Sequence, residues 1–232
     1  MITRRPAAER GHADHGWLKS AHTFSFADYR DPAHMGFRTL RVINEDRVQP
    51  GQGFGMHPHA DMEIITLVLE GNLRHKDSMG NEGVIGPGEI QYMSAGTGIR
   101  HSEFNASARE PVHFYQIWVI PDKKGLPPTY LQRDFTHAKA GEITALFSPE
   151  GDAGAIAIRS NASLHTAKFA GGETVTHPLP SGRYAWVQAV AGELTLNGGT
   201  VLKAGDGAAL AQEQAVTLTA TGPAQALIFD LP

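Results

Sequence analysis

His57-Pro58-His59 and His101-Ser102-Glu103 are two pairs of metal-type ligands, each spaced i, i+2. Alternate side chains of a β-strand share a face, so each pair would point one way. On neighbouring strands the two pairs would bring three imidazoles and one carboxylate to a point. His-x-His alone reads better as a polar stripe inside a barrel; the second pair, at matching spacing, makes it a ligand set. Three neutral histidines and a carboxylate suit a divalent first-row transition metal, whereas Ca²⁺ and Mg²⁺ require more oxygens. A structural zinc site usually closes at four ligands and draws on cysteine. Four protein ligands on a six-coordinate ion would leave two positions, enough for a bidentate substrate or for substrate plus dioxygen. The chain has no cysteine, so thiolate and disulfide chemistry are excluded.

The elements around these pairs read as short strands. Glu63 to Leu69 is rich in β-branched residues and stops at Glu70-Gly71-Asn72; Leu73 to Asp77 stops at Met79-Gly80-Asn81. Gly86-Pro87-Gly88-Glu89 and Ala95-Gly96-Thr97-Gly98 are turns, and Val112 to Ile120 is a strand closed by Pro121-Asp122. His22 to Phe26 and Leu40 to Glu45 add strands upstream, and 155–159, 185–190, 193–196, 215–218 and 224–231 continue the pattern. Strands this short, at such regular spacing, predict an all-β protein of antiparallel sandwiches or barrels. Lys123 to Pro128 reads as a linker followed by one helical turn. The predicted division is 1–125, a linker at 126–140, and 141–232.

The halves resemble a diverged repeat. His57, Glu63, Gly71 and Pro87-Gly88-Glu89 have counterparts in His177, Arg183, Gly192 and Gly205-Asp206-Gly207. The ligands do not repeat: Leu179 and Arg183 stand where His59 and Glu63 stand. The second half is therefore expected to be metal-free. In the first half, strand parity nominates Asp61 and Glu63 beside the histidines and Gln116 or His113 as hydrogen-bonding supports, against ordinary barrel filling for each. Met56, Phe37 and Met93 are pocket-lining candidates, with core packing the simpler role. His12 and His15 lack a partner at useful spacing and are assigned to a surface loop.

Gly51-x5-His57-x-His59-x3-Glu63 with Gly71 resembles the first cupin motif, one residue longer than usual before Gly71, and Gly98-x2-His101-x3-Asn105 resembles the end of the second. His57 to Glu63, Gly86 to Glu89 and Ser94 to Glu103 resemble the pirin family. Phe24-Ser25-Phe26, Asp31 to Phe37 and Arg41 to Asp46 are similar to its bacterial, quercetinase-like branch. The resemblance implies a bicupin, two antiparallel jelly-roll barrels with metal only in the first. By motif match its ligands are His57, His59, His101 and Glu103. The carboxylate role of Glu63 in most cupins passes in pirins to Glu103. The resemblance also implies flavonol 2,3-dioxygenase activity in some members and metal-dependent regulation through protein partners in others.

The reading is a metal-dependent dioxygenase that opens a flavonol ring with O₂, holding one divalent transition metal: iron first, with zinc, manganese, nickel, cobalt or copper also fitting. Glu103 is the expected base toward the substrate 3-hydroxyl. The alternatives are a redox- or metal-sensing protein acting on a protein partner, and a non-redox cupin enzyme. The 232 residues carry a net charge of -4 and no basic stripe, so no direct nucleic-acid binding is expected. No run approaches the ~20 apolar residues of a membrane span, and no signal peptide is apparent. The expected location is the cytoplasm.

Overall fold

The computed structural model describes residues 1–232. The chain forms two compact units, an N-terminal barrel of residues 11–36 and 40–136, and a C-terminal barrel of residues 1–10, 37–39 and 137–232. The division differs from the expected one at its edges. Strand β1 (Ile2–Arg5) belongs to the C-terminal barrel, paired antiparallel with a strand at Gly207–Leu210. The expected linker is also partly structured: Thr129–Asp134 is a strand, and no helical turn follows Pro128. Its residues are nearly all half-buried, so the strand carries no alternation to read.

In the N-terminal barrel the strands are β2 (Gly11–Asp14), β3 (Leu18–His22), β4 (Leu40–Val48), β5 (Gly53–His59), β6 (Glu63–Glu70) and β7 (Leu73–Asp77). They continue with β8 (Glu82–Ile85), β9 (Glu89–Ser94), β10 (Ile99–Asn105), β11 (Val112–Val119) and β12 (Thr129–Asp134). One sheet runs β12-β9-β6-β11-β4-β3-β2 and the other β5-β10-β7-β8. The C-terminal barrel has β13 (Ile143–Ser148), β14 (Ile156–Ala157), β15 (Ser163–Phe169), β16 (Thr174–Pro178), β17 (Tyr184–Ala191) and β18 (Glu193–Leu196). It ends with β19 (Thr200–Lys203), β20 (Gly207–Leu210), β21 (Ala215–Thr219) and β22 (Ala224–Leu231). Its sheets run β1-β20-β17-β22-β15-β13-β14 and β16-β21-β18-β19. The strand orders of the two barrels match except at the far edge of the large sheets, where β2 pairs antiparallel with β3 but β14 pairs parallel with β13. In each large sheet the edge beside the β9 or β20 position is filled by a strand from outside the repeat, β12 or β1. The protein is thus an all-β bicupin. No helix is long and apolar enough to cross a membrane.

On the face of β6 that carries Ile64 and Val68, the N-terminal barrel buries two separate apolar clusters. Leu18, Val48, Val68, Leu73, Ile85, Val112 and Phe114 form one, and Ile64, Met93, Ala95 and Ile99 the other. Along β6 the inward residues run Ile64, Thr66, Val68, so the two clusters are separated by a polar level. That level is a row of directly opposed residues crossing five strands: His22, Asn44, Gln116, Thr66 and Gln91. All five are buried. Burying polar groups is costly unless each finds a partner, and this row finds its partners in the site.

Candidate metal centre

Strands β5, β10 and β7 are adjacent in the small sheet, and register places His57 opposite His101, His59 opposite Ile99, and His75 opposite Glu103. The β5–β10 pairing slips between His101 and Glu103, where β5 contributes one extra residue. Bulges of this kind re-aim side chains and recur beside active sites. Gly53 lies at the same crossing, where a Cβ would collide with the Glu103 carbonyl oxygen and the Phe104 Cα. Within the bulge, His57 Nδ1 donates to the Gly55 carbonyl at 2.7 Å, which turns Nε2 inward as the free lone pair.

One ring nitrogen each of His57, His59 and His101 lies within 4.8 Å of the others, close enough for one ion to bridge. The ring centroids are 4.5 to 4.9 Å apart. Burial, with the neighbouring His101 and His57, pushes the His59 imidazole down to about 4. Burial, with His57 and His75, pushes His101 down to about 3. Both rings are therefore uncharged at neutral pH, the form that donates to a metal. Both ring nitrogens of His101 are buried without a protein partner. Buried imidazole nitrogens left unpaired are costly, so the residues present fit a divalent cation.

Glu103, two residues beyond His101 on β10, is 2% exposed, and its carboxylate groups with His101 and His75 rather than with His57 and His59. Its Oε1 accepts from Thr66 Oγ1 at 3.1 Å and Gln91 Nε2 at 3.2 Å, and its Oε2 accepts from Gln116 Nε2 at 2.8 Å. A carboxylate has about four lone-pair sites, so one remains, on Oε2. Three of the five residues of the polar level, Thr66, Gln91 and Gln116, thus hold this one side chain. At its far end His22 Nδ1 lies 2.9 Å from Asn44 Oδ1.

Of the supports nominated from parity, Gln116 bonds Glu103 directly, whereas His113 lies 3.0 Å from Glu45 on the other face. Glu63 is buried but accepts from Ser94 Oγ at 2.7 Å and from the Tyr92 hydroxyl, so its oxygens are engaged away from the histidines. Asp61 does not continue the strand: β5 ends at His59, Asp61 has φ +49°, and its carboxylate accepts from the Gly125 amide at 2.7 Å. Met56 is exposed, Met93 is in an apolar cluster, and Phe37 belongs to the C-terminal barrel, where it packs edge-on to Tyr184. His12 and His15 are exposed as expected, although His12 lies on β2. His75 was not identified from sequence. Its signal was the alternation Leu73-x-His75-x-Asp77, which puts a histidine and a carboxylate on the buried face of β7.

A cavity of about 500 Å³ adjoins the polar level, walled by His22, Phe26, Tyr29, Asn44, Asp46 and Phe54. Phe54 stands opposite Glu103, and Phe26 packs edge-on to Trp118, which packs edge-on to His59 at 4.9 Å. Asp46 accepts from the Ser20 hydroxyl, and burial pushes its carboxyl up to about 7. Aromatic walls with a few buried polar groups are the usual make-up of a small-molecule pocket.

Two cupin barrels with a histidine cluster in only the first define a bicupin with one candidate metal centre. Comparison with known proteins places it further. Residues 3–119 match the pirin family model and residues 145–231 the quercetinase C-terminal cupin domain. The chain belongs to the pirin family. It is 47% identical over 232 residues to quercetin 2,3-dioxygenase of Escherichia coli K12, covering 100% of this chain and 99% of that protein. The crystal structure of the bacterial pirin YhhW from Escherichia coli in complex with nickel(II) superposes with a TM-score of 0.96 at 47% identity, covering 100% of this chain and 99% of that one. A quercetin 2,3-dioxygenase from Acinetobacter baumannii shares the fold, with a TM-score of 0.81 at 23% identity over 99% of this chain and 85% of that one. The chain is a quercetin 2,3-dioxygenase-like member of its family.

Proposed function

We propose that this protein is a metal-dependent dioxygenase opening the heterocycle of a flavonol or related planar polyphenol with O₂. Its ligands would be His57, His59, His101 and Glu103. The observation that carries the reading is the convergence of three imidazoles, two of them (His59 and His101) kept uncharged by burial, with a neighbouring carboxylate restrained by three donors. The 47% identity to a protein named quercetin 2,3-dioxygenase supports the substrate class. Iron is proposed first as the resident ion; nickel, zinc, manganese, cobalt and copper suit the same mixed nitrogen–oxygen donors. Such an ion, when bound, supplies Lewis acidity and a path for electrons between phenol and dioxygen.

The protein's own share is binding, orientation and proton transfer. Phe26, Tyr29 and Phe54 would give a planar ring an aromatic wall in the cavity of about 500 Å³. Asp46, with its carboxyl raised to about 7, can donate or accept at a substrate hydroxyl near neutrality. Glu103 Oε2 has one lone pair left, and that pair accepts the proton of the substrate 3-hydroxyl. The same lone pair is the one Oε2 would offer a cation, so Glu103 would act either as ligand or as base at that atom. Gln116, Thr66 and Gln91 keep the carboxylate from rotating as it changes role.

The test is elemental analysis of protein purified without added metal, coupled to O₂ uptake and carbon monoxide release over a panel of phenols. About one transition ion per chain and carbon monoxide from a flavonol are expected. Bound metal with no O₂ uptake on any phenol would sink the dioxygenase reading.

A further inference from the structure

His75 is fully buried, and its Nε2 lies 3.3 Å from Asp77 Oδ2. Asp77 is fixed as an acceptor by the Asn81 side-chain amide at 2.9 Å and the backbone amides of Met79 and Asn81 at 2.9 and 3.0 Å. His75 Nε2–H therefore donates to Asp77, and Nδ1 carries a lone pair with no partner. A carboxylate that holds one imidazole nitrogen while the other points into a cluster is the usual support of a metal-binding histidine. The ring plane is fixed by Tyr130, stacked at 4.6 Å and 18°. One ligand atom each from His75, His101 and Glu103 lies within 4.8 Å of the others, and all three residues are buried, whereas His57 and His59 are half-exposed. Two histidines and a carboxylate are by themselves a sufficient set for a non-haem iron-type ion with open positions.

The repeat adds an independent observation. Where His75 faces Glu103 across β7 and β10, Leu196 faces Leu218 across the matching β18 and β21. Where His57 faces His101, His177 faces Val216. The C-terminal barrel has lost the His75 position together with His101 and Glu103.

We propose that the N-terminal barrel has a second, deeper cation position formed by His75, His101 and Glu103. It overlaps the outer position by sharing His101 and Glu103, so one ion is held at a time, at either place. This rests on the reading that the barrel binds metal at all, and the experiment separates the two. Ni²⁺ binding to the full chain is measured by equilibrium dialysis with elemental analysis, for wild type, His57→Ala/His59→Ala, and His57→Ala/His101→Ala. The inner position predicts that His57→Ala/His59→Ala still takes up about one Ni²⁺ per chain while His57→Ala/His101→Ala takes up none. X-ray absorption on the former should count two imidazoles. Adding His75→Gln, or Asp77→Asn should the triple variant not fold, should weaken that residual binding about 10–100-fold. No Ni²⁺ on folded His57→Ala/His59→Ala, or residual binding unchanged by both added substitutions, overturns the inner position. No Ni²⁺ on wild type overturns the underlying metal reading instead.

Discussion

The two barrels share a strand order and differ in what crosses the middle of the large sheet. In the N-terminal barrel Asn44, Gln116, Thr66 and Gln91 stand opposite one another over β4, β11, β6 and β9. Over the matching β15, β22, β17 and β20, one core row reads His165, Ile228, Val187 and Ala208. The C-terminal core is correspondingly one continuous apolar cluster, running from Ala167 to Ile228. Its remnant of a site is closed by charge: Asp230 lies 3.2 Å from His177 Nε2 and accepts from Arg183 Nε at 2.5 Å. His165 packs against His177 at 4.5 Å, and burial with that neighbour pushes it down to about 4. A guanidinium next to the only carboxylate leaves no place for a second cation. A barrel of this topology can thus be built with an apolar interior, and the polar level is particular to the barrel that carries the histidine cluster.

The largest effect should come from erasing the difference at the cluster. His57→Ala/His101→Ala removes ligands from both sides of the β5–β10 pair, and metal content and turnover should fall to background with the fold retained by circular dichroism. Stoichiometric metal in that variant would show the centre to be elsewhere.

Next in size is Glu103→Gln. Glutamine keeps the shape and one oxygen donor but cannot accept a phenol proton at neutral pH. Turnover per bound metal should drop by roughly 10²–10⁴-fold, the usual worth of general base catalysis. A more acidic phenol, or higher pH, should recover part of the loss because the substrate arrives ionised. Glu63→Gln, whose carboxylate serves Ser94 and Tyr92, is the control and should cost less. Near-normal turnover per metal in Glu103→Gln would reduce Glu103 to a plain ligand.

Making the N-terminal level more like the C-terminal one should have an intermediate effect. Gln116→Leu removes the 2.8 Å donor to Glu103 Oε2 and should weaken metal binding about 10–100-fold, read by competition with a chelator. Unchanged metal affinity would mean that the row is filling rather than support.

In the C-terminal barrel the expected effects are on stability. Burial pushes the Asp206 carboxyl up, but the amides of Lys203 and Ala7 and the Arg4 guanidinium outweigh it and hold the group below its ordinary value. A depressed carboxyl contributes stability above its unfolded value of 3.8 and loses it as pH falls through the lower folded value. Asp206→Asn should therefore destabilise by about 1–3 kcal/mol at neutral pH, with the gap to wild type closing below 3.8 in denaturant titrations. A gap that does not change with pH would assign the effect to packing. Smallest of all, His177→Ala should leave metal content unchanged.

Much of this was legible in advance because strand parity is a local rule. His57/His59 and His101/Glu103 needed only the period of two to be placed on common faces, and Leu179 and Arg183 already marked the second half as lacking ligands. On β11 the same rule left Gln116 and His113 on opposite faces as alternatives, and only the structure chose Gln116. Asp61 did not, because parity holds only while the strand continues, and the chain turns at Asp61.

The sequence by itself determined the all-β class, the longer strands such as Glu63–Glu70 and Val112–Val119, the repeat and which half carries the histidine cluster, since periodicity and turn residues act over a few neighbours. The strand read at His22 to Phe26 instead ends at His22, and Ser163–Phe169 and Gly207–Leu210 escaped that reading. Only the tertiary structure decided that Ile2–Arg5 closes the edge of the far barrel, a pairing with residues some two hundred positions away that no local pattern encodes. It alone aligned His22, Asn44, Gln116, Thr66 and Gln91, which come from five strands and meet only through sheet register. It also brought His75 to Glu103, because which strands lie side by side in a sheet is set by topology and core packing, not by spacing along the chain.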